Sequence, residues 1–313
     1  MTKELYDRII SGGCVGAGDV NTLVTANLDE LLEYADKLKS HFKGNRAETC
    51  AIINARSGLC SEDCSFCAQS SHFDTGAPVY EFIGMDKIDS AAKDLAEKGV
   101  KRFSIVTSGI GPDEEEFAKI KESMGVIRKH GLLPDASVGC MSYEQLIELK
   151  DAGMTAYHHN LEVARSFFPE ICTTHDYERD VQTVRDSVRA GLYVCCGGIF
   201  GLGESWAQRA ELALTLRELK VHSVPINFLN PIKGTPMDER DVVGEDEALR
   251  IIAMYRFILP DVDIRVCGGR SIVFKKSSAE KVLSAGANAV MVGDYLTVKG
   301  VSIDEDMEAL KSD

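Results

Sequence analysis

Three cysteines lie close together at Cys60, Cys64 and Cys67. Their spacing, C-x3-C-x2-C, is too dense for packing alone, and soft thiolates in such a pattern are typical ligands of zinc or of an iron-sulfur cluster. No fourth Cys or His stands nearby to complete the four protein ligands of a structural zinc site. The spacing therefore predicts a 4Fe-4S cluster with one iron free to bind another molecule. A zinc knuckle and incidental thiols are the alternatives.

Composition limits the class of protein and its partners. The 313 residues are 44% hydrophobic, which is ample for one large core, and they carry a formal charge of -14. This acidic balance argues against nucleic acid or a membrane surface as a partner. No apolar run approaches the ~18 residues of a membrane span, and the N-terminus lacks a basic and apolar signal pattern. We therefore expect a cytoplasmic protein.

Seven further cysteines need an explanation, because the cytosol keeps thiols reduced and disulfides are not expected there. Taken singly, each is best interpreted as a small buried hydrophobic residue. They are Cys14, Cys50, Cys140, Cys172, Cys195, Cys196 and Cys267.

From residue 49 onward, short apolar runs alternate with amphipathic stretches, which predicts a TIM-type (β/α)8 barrel over residues 49–313. An open doubly wound sheet is the alternative, but no GxGxxG fingerprint follows the first strand to favour it. The predicted strands are 49–55, 101–107, 133–139, 155–160, 192–197, 222–227, 262–267 and 288–292. The predicted helices are 88–98, 114–129, 143–152, 178–190, 205–219 and 246–257.

Residues 1–48 form a predicted helical N-terminal extension, in which apolar residues recur at helical spacing behind the N-cap candidate Asn27. In a barrel of this type the loops after the strands carry the chemistry, and the three-cysteine loop follows the first strand. The acidic segment Asp304 to Asp313 is expected to be a solvated end.

The cysteine loop, with Phe66 before its last thiol, resembles that of the radical S-adenosylmethionine (SAM) enzymes. The resemblance implies that the open iron chelates the amino and carboxylate groups of SAM. It also implies that an electron from the cluster cleaves the sulfonium to a 5′-deoxyadenosyl radical, with Phe66 packed beside the adenine.

Later motifs are similar to those of the biotin synthase family. The resemblance implies that Asn160 and Glu162 contact SAM and substrate, and that Gly198 and Gly201 let the backbone approach the methionine moiety of SAM. It assigns Asn227 to the ureido ring of dethiobiotin. The motifs are QSS at 69–71, YHHNLE at 157–162, GGIFGLGE at 197–204, VPINFLNPIKGTP at 224–236, IRVCGGR at 264–270 and AGAN at 285–288.

The chain departs from the family at its second cluster, a 2Fe-2S centre held by three Cys and one Arg that donates the sulfur. Cys195 and Arg265 match two of these ligands, but Ser104 and Asp135 stand where the family has cysteines. A cluster of that design cannot form here. Either the auxiliary cluster is lost, as in the maturase and methylornithine branches, or relocated thiols hold a different one.

We favour a replacement cluster, plausibly of the 4Fe type. Cys267 lies two residues beyond Arg265 and so shares its inward face, while Cys50 begins the first strand and can point into the same cavity as Cys195. Cys14 is the candidate for a fourth ligand if its glycine-rich loop closes the barrel bottom, and Cys140 is its substitute.

The resemblance implies a radical SAM sulfurtransferase that converts dethiobiotin to biotin. A carbon radical of the substrate is quenched by a sulfide of the auxiliary cluster, once at each of two carbons, and no general base is predicted. We expect flavodoxin or ferredoxin to be the electron donor. A homodimer is one candidate oligomeric state. A mutase or maturase without sulfur insertion, and a non-catalytic iron-sulfur carrier, are the alternatives.

Overall fold

Nine parallel strand segments form the sheet in the described part of this protein. The structure is a computed structural model that describes residues 1–44, 47–275, 278–296 and 300–310. The strands are β1 (Glu48–Arg56), β2 (Arg102–Thr107), β3 (Leu133–Ser137), β4 (Ala156–His158), β5 (Tyr193–Cys195), β6 (Gly198–Phe200), β7 (Ser223–Phe228), β8 (Asp263–Val266) and β9 (Ala289–Met291).

The sheet closes on itself through β5. This strand pairs with β4 and, through Cys195 and Ser223, with β7, and the order runs β5-β4-β3-β2-β1-β9-β8-β7-β6. Cys196 and Gly197 separate β5 from β6, so these two segments act as one interrupted strand of an eight-stranded barrel. The predicted (β/α)8 fold is confirmed, and the open sheet is excluded.

Helices follow the strands, and their starts agree with local capping signals. Ser142 and Ser205 each form a capping box with a Gln three residues later, and Asn27 accepts a hydrogen bond from the Glu30 amide as predicted. The helices are α1 (Thr2–Ile10), α2 (Val20–Thr25), α3 (Leu28–Lys43), α4 (Met85–Glu97), α5 (Glu114–Lys129), α6 (Tyr143–Asp151), α7 (Tyr177–Arg189), α8 (Trp206–Glu218), α9 (Glu245–Ile258), α10 (Arg270–Phe274), α11 (Ser278–Ser284) and α12 (Ile303–Ala309).

The six predicted helices overlap α4 to α9 in order, whereas α10 to α12 were not predicted. Each of these three spans seven residues or fewer. An amphipathic pattern cannot repeat often enough over so short a segment to be recognised. In the described part of the chain, no helix combines the length and the apolar character that crossing a bilayer requires.

The N-terminal helices pack on the outside of the barrel. Leu31, Ala35 and Leu38 form the buried face of α3, which lies against α9. Arg217 of α8 donates a hydrogen bond to the Val15 carbonyl at 2.6 Å. The division of the chain at residue 48 into an extension and a barrel stays a prediction.

A buried ion pair fastens α12 to the barrel. Arg270, which is 0% exposed, donates hydrogen bonds to both carboxylate oxygens of Asp306, at 2.9 and 2.5 Å. The expectation of a solvated acidic end is therefore wrong for Asp306, because the segment forms a helix whose inner face carries this carboxylate. Residues 311–313 of that segment lie outside the described residues.

We expect Asp306→Ala to lower the free energy of unfolding by about 3–5 kcal/mol, because it leaves the buried Arg270 charge without its partner. Denaturation by urea and by heat measures the loss. Asp304→Ala, on the exposed face of the same helix turn, is the control and should change stability by no more than about 0.5 kcal/mol. Equal effects of the two variants would contradict a structural role for the pair.

Candidate active site

The cysteine loop after β1 folds back on itself at the carboxyl end of the barrel. The Cys60 amide donates to the Gln69 carbonyl at 3.0 Å, and the Ser71 amide donates to the Cys60 carbonyl at 2.8 Å. The Cys67 amide closes a turn onto the Cys64 carbonyl at 2.9 Å. These backbone bonds hold three thiols on one short loop, as the predicted cluster requires.

The loop forms one wall of a cavity, here called the upper cavity. It is lined by the three thiols of Cys60, Cys64 and Cys67 together with Phe66, Asn160 and Glu162. Burial raises the pKa of Cys67 to about 11, and the pKa of Cys64 is raised by its hydrogen bond with Cys172 and by burial. Metal binding would therefore displace protons from these thiols. Soft thiolates from one loop fit an iron-sulfur cluster.

Asn160 and Glu162 follow β4 and are held by the strand next to it. The Asn160 side-chain oxygen accepts from the Gly197 amide at 3.1 Å, and its nitrogen lies 3.4 Å from a Glu162 carboxylate oxygen. Glu162 has a left-handed backbone with φ of 62°. Burial raises the pKa of Glu162 to about 7, against the opposing effect of the Asn160 hydrogen bond.

Gly198 and Gly201 do not line the upper cavity among the described residues. A Cβ on Gly198 would lie 2.1 Å from the Glu162 carbonyl oxygen, so this glycine permits close backbone packing. The Gly201 amide donates to the Glu204 carboxylate at 3.0 Å, and its φ is 96°. Both glycines shape the site through its backbone, and their approach to the methionine moiety of SAM stays a prediction.

A second cavity, here called the lower cavity, lies inside the barrel. Its walls carry Cys50 from β1, Cys195 from β5, and Arg265 and Cys267 from β8 and the residue after it. The three thiols are at most 4% exposed. The convergence predicted from strand periodicity is therefore present. Asn160 lines both cavities, so the two meet at this side chain.

Arg265 is a buried cation in the lower cavity whose Nε and Nη1 have no hydrogen-bond partner among the described residues. Its Nη2 lies 3.9 Å from a Glu48 carboxylate oxygen. Burial would lower the pKa of Arg265, but the thiols of Cys50, Cys195 and Cys267 raise it well above its ordinary value. A guanidinium with two unsatisfied nitrogen atoms and three soft donors at one cavity fit an anionic iron-sulfur cluster.

The structure does not bring Cys14 to these three thiols. Cys14 is exposed in the turn between α1 and α2, beside the Val15 carbonyl that Arg217 holds against α8. Cys140 is also elsewhere, with its sulfur 3.6 Å from an Asp180 carboxylate oxygen near the upper cavity. The described lining of the lower cavity therefore offers three thiols, and Cys196 packs into the main core instead.

Ser104 and Asp135 occupy neighbouring strands in register, at the two positions where the resemblance described above implies cluster cysteines. Arg102 donates two hydrogen bonds to the Asp135 carboxylate, both at 2.8 Å, and His158 lies 3.3 Å from it. Burial alone would raise the pKa of Asp135, but His158 and Arg102 hold it below its usual value. This part of the barrel thus contains a compensated ion pair in place of soft ligands.

Asn227 is placed in the wall of the lower cavity, as its predicted role requires. Its side-chain nitrogen donates to the Gly198 carbonyl at 3.2 Å, and its oxygen accepts from the Gly268 amide at 2.9 Å. These two bonds fix the plane of the amide across β6 and β7 and the end of β8. The side chain is consequently a rigid part of the wall.

Sequence reasoning missed a polar network beside the cysteine loop. Glu62, His175, Asp180 and His159 are linked in series by contacts of 2.6, 3.1 and 2.9 Å. The spacing Cys172-x2-His175 is the signal that could have drawn attention to the network.

Known protein families and relatives match this chain along most of its length. The Radical SAM superfamily matches residues 56–216, and the Biotin and Thiamin Synthesis associated domain matches residues 225–313. The chain is 49% identical to the biotin synthase of Nitratidesulfovibrio vulgaris over 93% of this chain and 82% of that one. It is 48% identical to the biotin synthase of Pelotomaculum thermopropionicum over 98% of this chain and 97% of that one.

Solved structures show the same fold at low identity. A methylornithine synthase superposes with a TM-score of 0.83 at 20% identity, covering 98% of this chain and 95% of that one. A maturase of the [FeFe]-hydrogenase superposes with a TM-score of 0.84 at 17% identity, covering 99% of this chain and 73% of that one. These likenesses concern the fold alone.

The raised pKa of Glu162 predicts a specific dependence of stability on pH. Between about pH 4.5 and 7 the folded state keeps a proton that the unfolded state releases, so this group makes the fold less stable as pH rises. A glutamine at this position does not titrate, so we expect the stability of cofactor-free Glu162→Gln not to fall in this way as pH rises. The melting temperature of the variant should therefore exceed that of the wild type by more at about pH 8 than at about pH 5.

Thermal melts of both proteins across this range measure the difference. Glu122→Gln, an exposed position on α5, is the control and should show a constant difference. A constant difference for Glu162→Gln as well would contradict the raised pKa.

Proposed function

Because this chain belongs to the biotin synthase family of radical SAM enzymes, we propose that its two cavities divide the reaction between them. The family's activity is radical SAM sulfur insertion in biotin synthesis. We assign the 4Fe-4S cluster and SAM to the upper cavity, and dethiobiotin and the auxiliary cluster to the lower one. The observation that carries this assignment is the convergence of three thiols on a buried guanidinium whose Nε and Nη1 have no hydrogen-bond partner among the described residues.

The cofactors supply the difficult chemistry: when bound, the first cluster and SAM provide the 5′-deoxyadenosyl radical and the auxiliary cluster provides sulfur. The chain has to bind, orient and exclude water. Cys60, Cys64 and Cys67 would hold the first cluster, and Phe66 would pack beside the adenine of SAM. Asn160 and Glu162 offer hydrogen-bonding groups in the lining of the same cavity.

In the lower cavity, Cys50, Cys195 and Cys267 would hold the auxiliary cluster. Arg265 would offset the negative charge of the cluster, since its unpartnered N–H groups need an acceptor. The geometry gives no support to Cys14 as a fourth ligand, because it is exposed on the outside of the barrel. The nuclearity of the cluster is the part of the proposal that iron analysis decides.

Dethiobiotin would lie where the two cavities meet. Asn227 would orient its polar ureido ring, while apolar side chains such as Ile52, Val106 and Met291 would contact its hydrocarbon part. Asn160 faces both cavities, so a substrate carbon beside it could be reached from the SAM side and from the cluster side. Placing the substrate between radical and sulfur is what insertion at an unactivated carbon needs.

We further propose a cytoplasmic location and a ferredoxin or flavodoxin as electron donor. All ten cysteines are free, in keeping with a reducing compartment. Because this chain is acidic overall, we expect the electron carrier to dock at a local basic patch on its surface. The homodimer stays a prediction.

Iron analysis tests the auxiliary cluster. After anaerobic reconstitution we expect about eight irons per chain in the wild type and about four in Cys267→Ala, because that substitution removes one of the three lower-cavity thiols. Cys196→Ala is the matched control, since this buried thiol neighbours Cys195 but packs into the core. Iron and acid-labile sulfide are measured on each protein.

About four irons in the wild type, with SAM cleaved and no biotin formed from dethiobiotin, would reject sulfur insertion. That result would instead support a mutase or maturase without an auxiliary cluster. A protein that holds iron but does not cleave SAM would support a non-catalytic carrier. An equal loss of iron in Cys267→Ala and Cys196→Ala would remove the assignment of Cys267 as a ligand.

Substitution of Asn227 tests the proposed substrate contact. We expect Asn227→Ala to reduce kcat/KM for dethiobiotin by about 5- to 150-fold, equivalent to the ~1–3 kcal/mol of a buried hydrogen-bonding group. SAM cleavage without dethiobiotin should be unchanged, because Asn227 does not line the upper cavity among the described residues. Steady-state biotin formation and uncoupled SAM cleavage are compared. Equal losses in both would show a general structural defect.

A further inference from the structure

The segment 171–175 between β4 and α7 is fastened to the cysteine loop by several hydrogen bonds. The Ser65 amide donates to the Ile171 carbonyl at 2.9 Å. The Asp63 carboxylate accepts from the Thr173 amide at 2.8 Å, and the Asp63 amide donates to the Thr174 hydroxyl at 3.2 Å. Side chains that follow in this segment are therefore held in fixed positions beside the cluster thiols.

Three donor atoms of different chemistry converge at this junction. The Nδ1 atom of His175 lies 2.6 Å from a carboxylate oxygen of Glu62 and 3.3 Å from the sulfur of Cys172. The three donor atoms all lie within 4.8 Å of one another. A metal ion bound at ~2.0–2.3 Å from each ligand needs donor separations of this order.

The surroundings orient these donors as metal ligands are usually oriented. The Nε2 atom of His175 lies 3.1 Å from a carboxylate oxygen of Asp180, which leaves Nδ1 directed at Glu62 and Cys172. The Thr174 hydroxyl donates to the same Glu62 oxygen at 2.6 Å. A carboxylate behind the imidazole and a hydrogen bond to the ligating carboxylate are the outer contacts that fix metal ligands.

A fourth donor, the Cys64 thiol, lines the same cavity as Glu62, Cys172 and His175 and interacts with the Cys172 thiol. Cys172 is 3% exposed, and the side chains of Glu62 and His175 are 11% and 9% exposed, so water has little access to the group. Two sulfurs, one nitrogen and one oxygen are donors that suit Zn²⁺, Fe²⁺ or Co²⁺ and not Mg²⁺ or Ca²⁺.

We propose that Glu62, Cys172 and His175, together with Cys64, bind a single divalent transition-metal ion in the protein that lacks its 4Fe-4S cluster. Cys64 cannot serve this ion and the cluster as separate ligands, so the two occupancies exclude each other. The mononuclear ion would keep the segment 171–175 and the cysteine loop together before the cluster is assembled. This site goes beyond the proposed function, which uses none of its residues except Cys64.

A Co²⁺ titration tests the site, because thiolate-to-cobalt charge-transfer bands and the visible bands of tetrahedral Co²⁺ report the ligands. The full-length chain carries Cys60→Ala, Cys67→Ala and Cys267→Ala, so that neither proposed cluster site retains its full set of thiols. We expect one tightly bound Co²⁺ per chain with a tetrahedral spectrum. Adding Cys172→Ala should weaken binding at least tenfold and remove about half of the charge-transfer intensity, as expected for one of two thiolates.

Cys140→Ala in the same background is the matched control. Its thiol belongs to a neighbouring group with His159 and Asp180, which is a second arrangement of donors found among the described residues. Loss of Co²⁺ with Cys140→Ala and retention with Cys172→Ala would overturn the proposal. Unchanged binding in both variants, or no binding in the background protein, would do the same. Glu62→Gln gives a second test that keeps both thiols, and circular dichroism verifies that each variant is folded.

Competition with cluster assembly gives an independent measurement in the wild-type chain. One equivalent of Zn²⁺ added before iron and sulfide should slow the appearance of cluster absorbance several-fold, because it occupies Cys64. In Cys172→Ser this delay should be largely abolished. A delay of equal size in both proteins would show that Zn²⁺ acts elsewhere. Neither readout depends on biotin formation, so failure here leaves the proposed function to its own tests.

Discussion

The buried guanidinium of Arg265 is the constraint on which the interior of the barrel depends. A permanent positive charge that is 2% exposed has to be compensated, yet two of its nitrogen atoms have no partner among the described residues. A Glu48 carboxylate oxygen lies 3.9 Å from its Nη2 atom, and the thiols of the cavity add compensation only when they are deprotonated. Burial raises the pKa values of Cys50, Cys195 and Cys267, so metal binding is the natural route to their thiolate forms.

The ion pair of Arg102 and Asp135 explains why an auxiliary cluster has to lie against a different part of the wall. These residues fill the β2 and β3 side with fixed charges of opposite sign, joined by two hydrogen bonds of 2.8 Å. A hard carboxylate oxygen is a poor replacement for a thiolate as a ligand of an iron-sulfur cluster. The available thiols come from β1, β5 and the end of β8, and β9 lies between β8 and β1 in the closed sheet. The positions on β2 and β3 that lack thiols are thus accompanied by thiols on β1, on β5 and at the end of β8.

The sequence predicts the barrel well because each strand is a short apolar run and each long helix repeats its pattern over three or four turns. The inward direction of Cys267 follows from Arg265, since alternate residues of a strand share a face. Cys14 could not be placed in this way, because a glycine-rich turn has no periodicity. Asp306 was misjudged for a related reason: a short acidic segment looks solvated until its partner Arg270, distant in sequence, is known.

The glycines after β5 show why a motif can be recognised without its physical role being known. Gly197 donates its amide to Asn160, and Gly198 lets the Glu162 carbonyl approach to a distance that no Cβ permits. The Gly198 carbonyl in turn accepts from Asn227. One short glycine segment therefore positions Asn160 and Glu162 at the upper cavity and Asn227 at the lower one. Since both sets of side chains depend on the same backbone, the relative position of the two cavities is fixed by β6 and cannot be adjusted at one cavity alone.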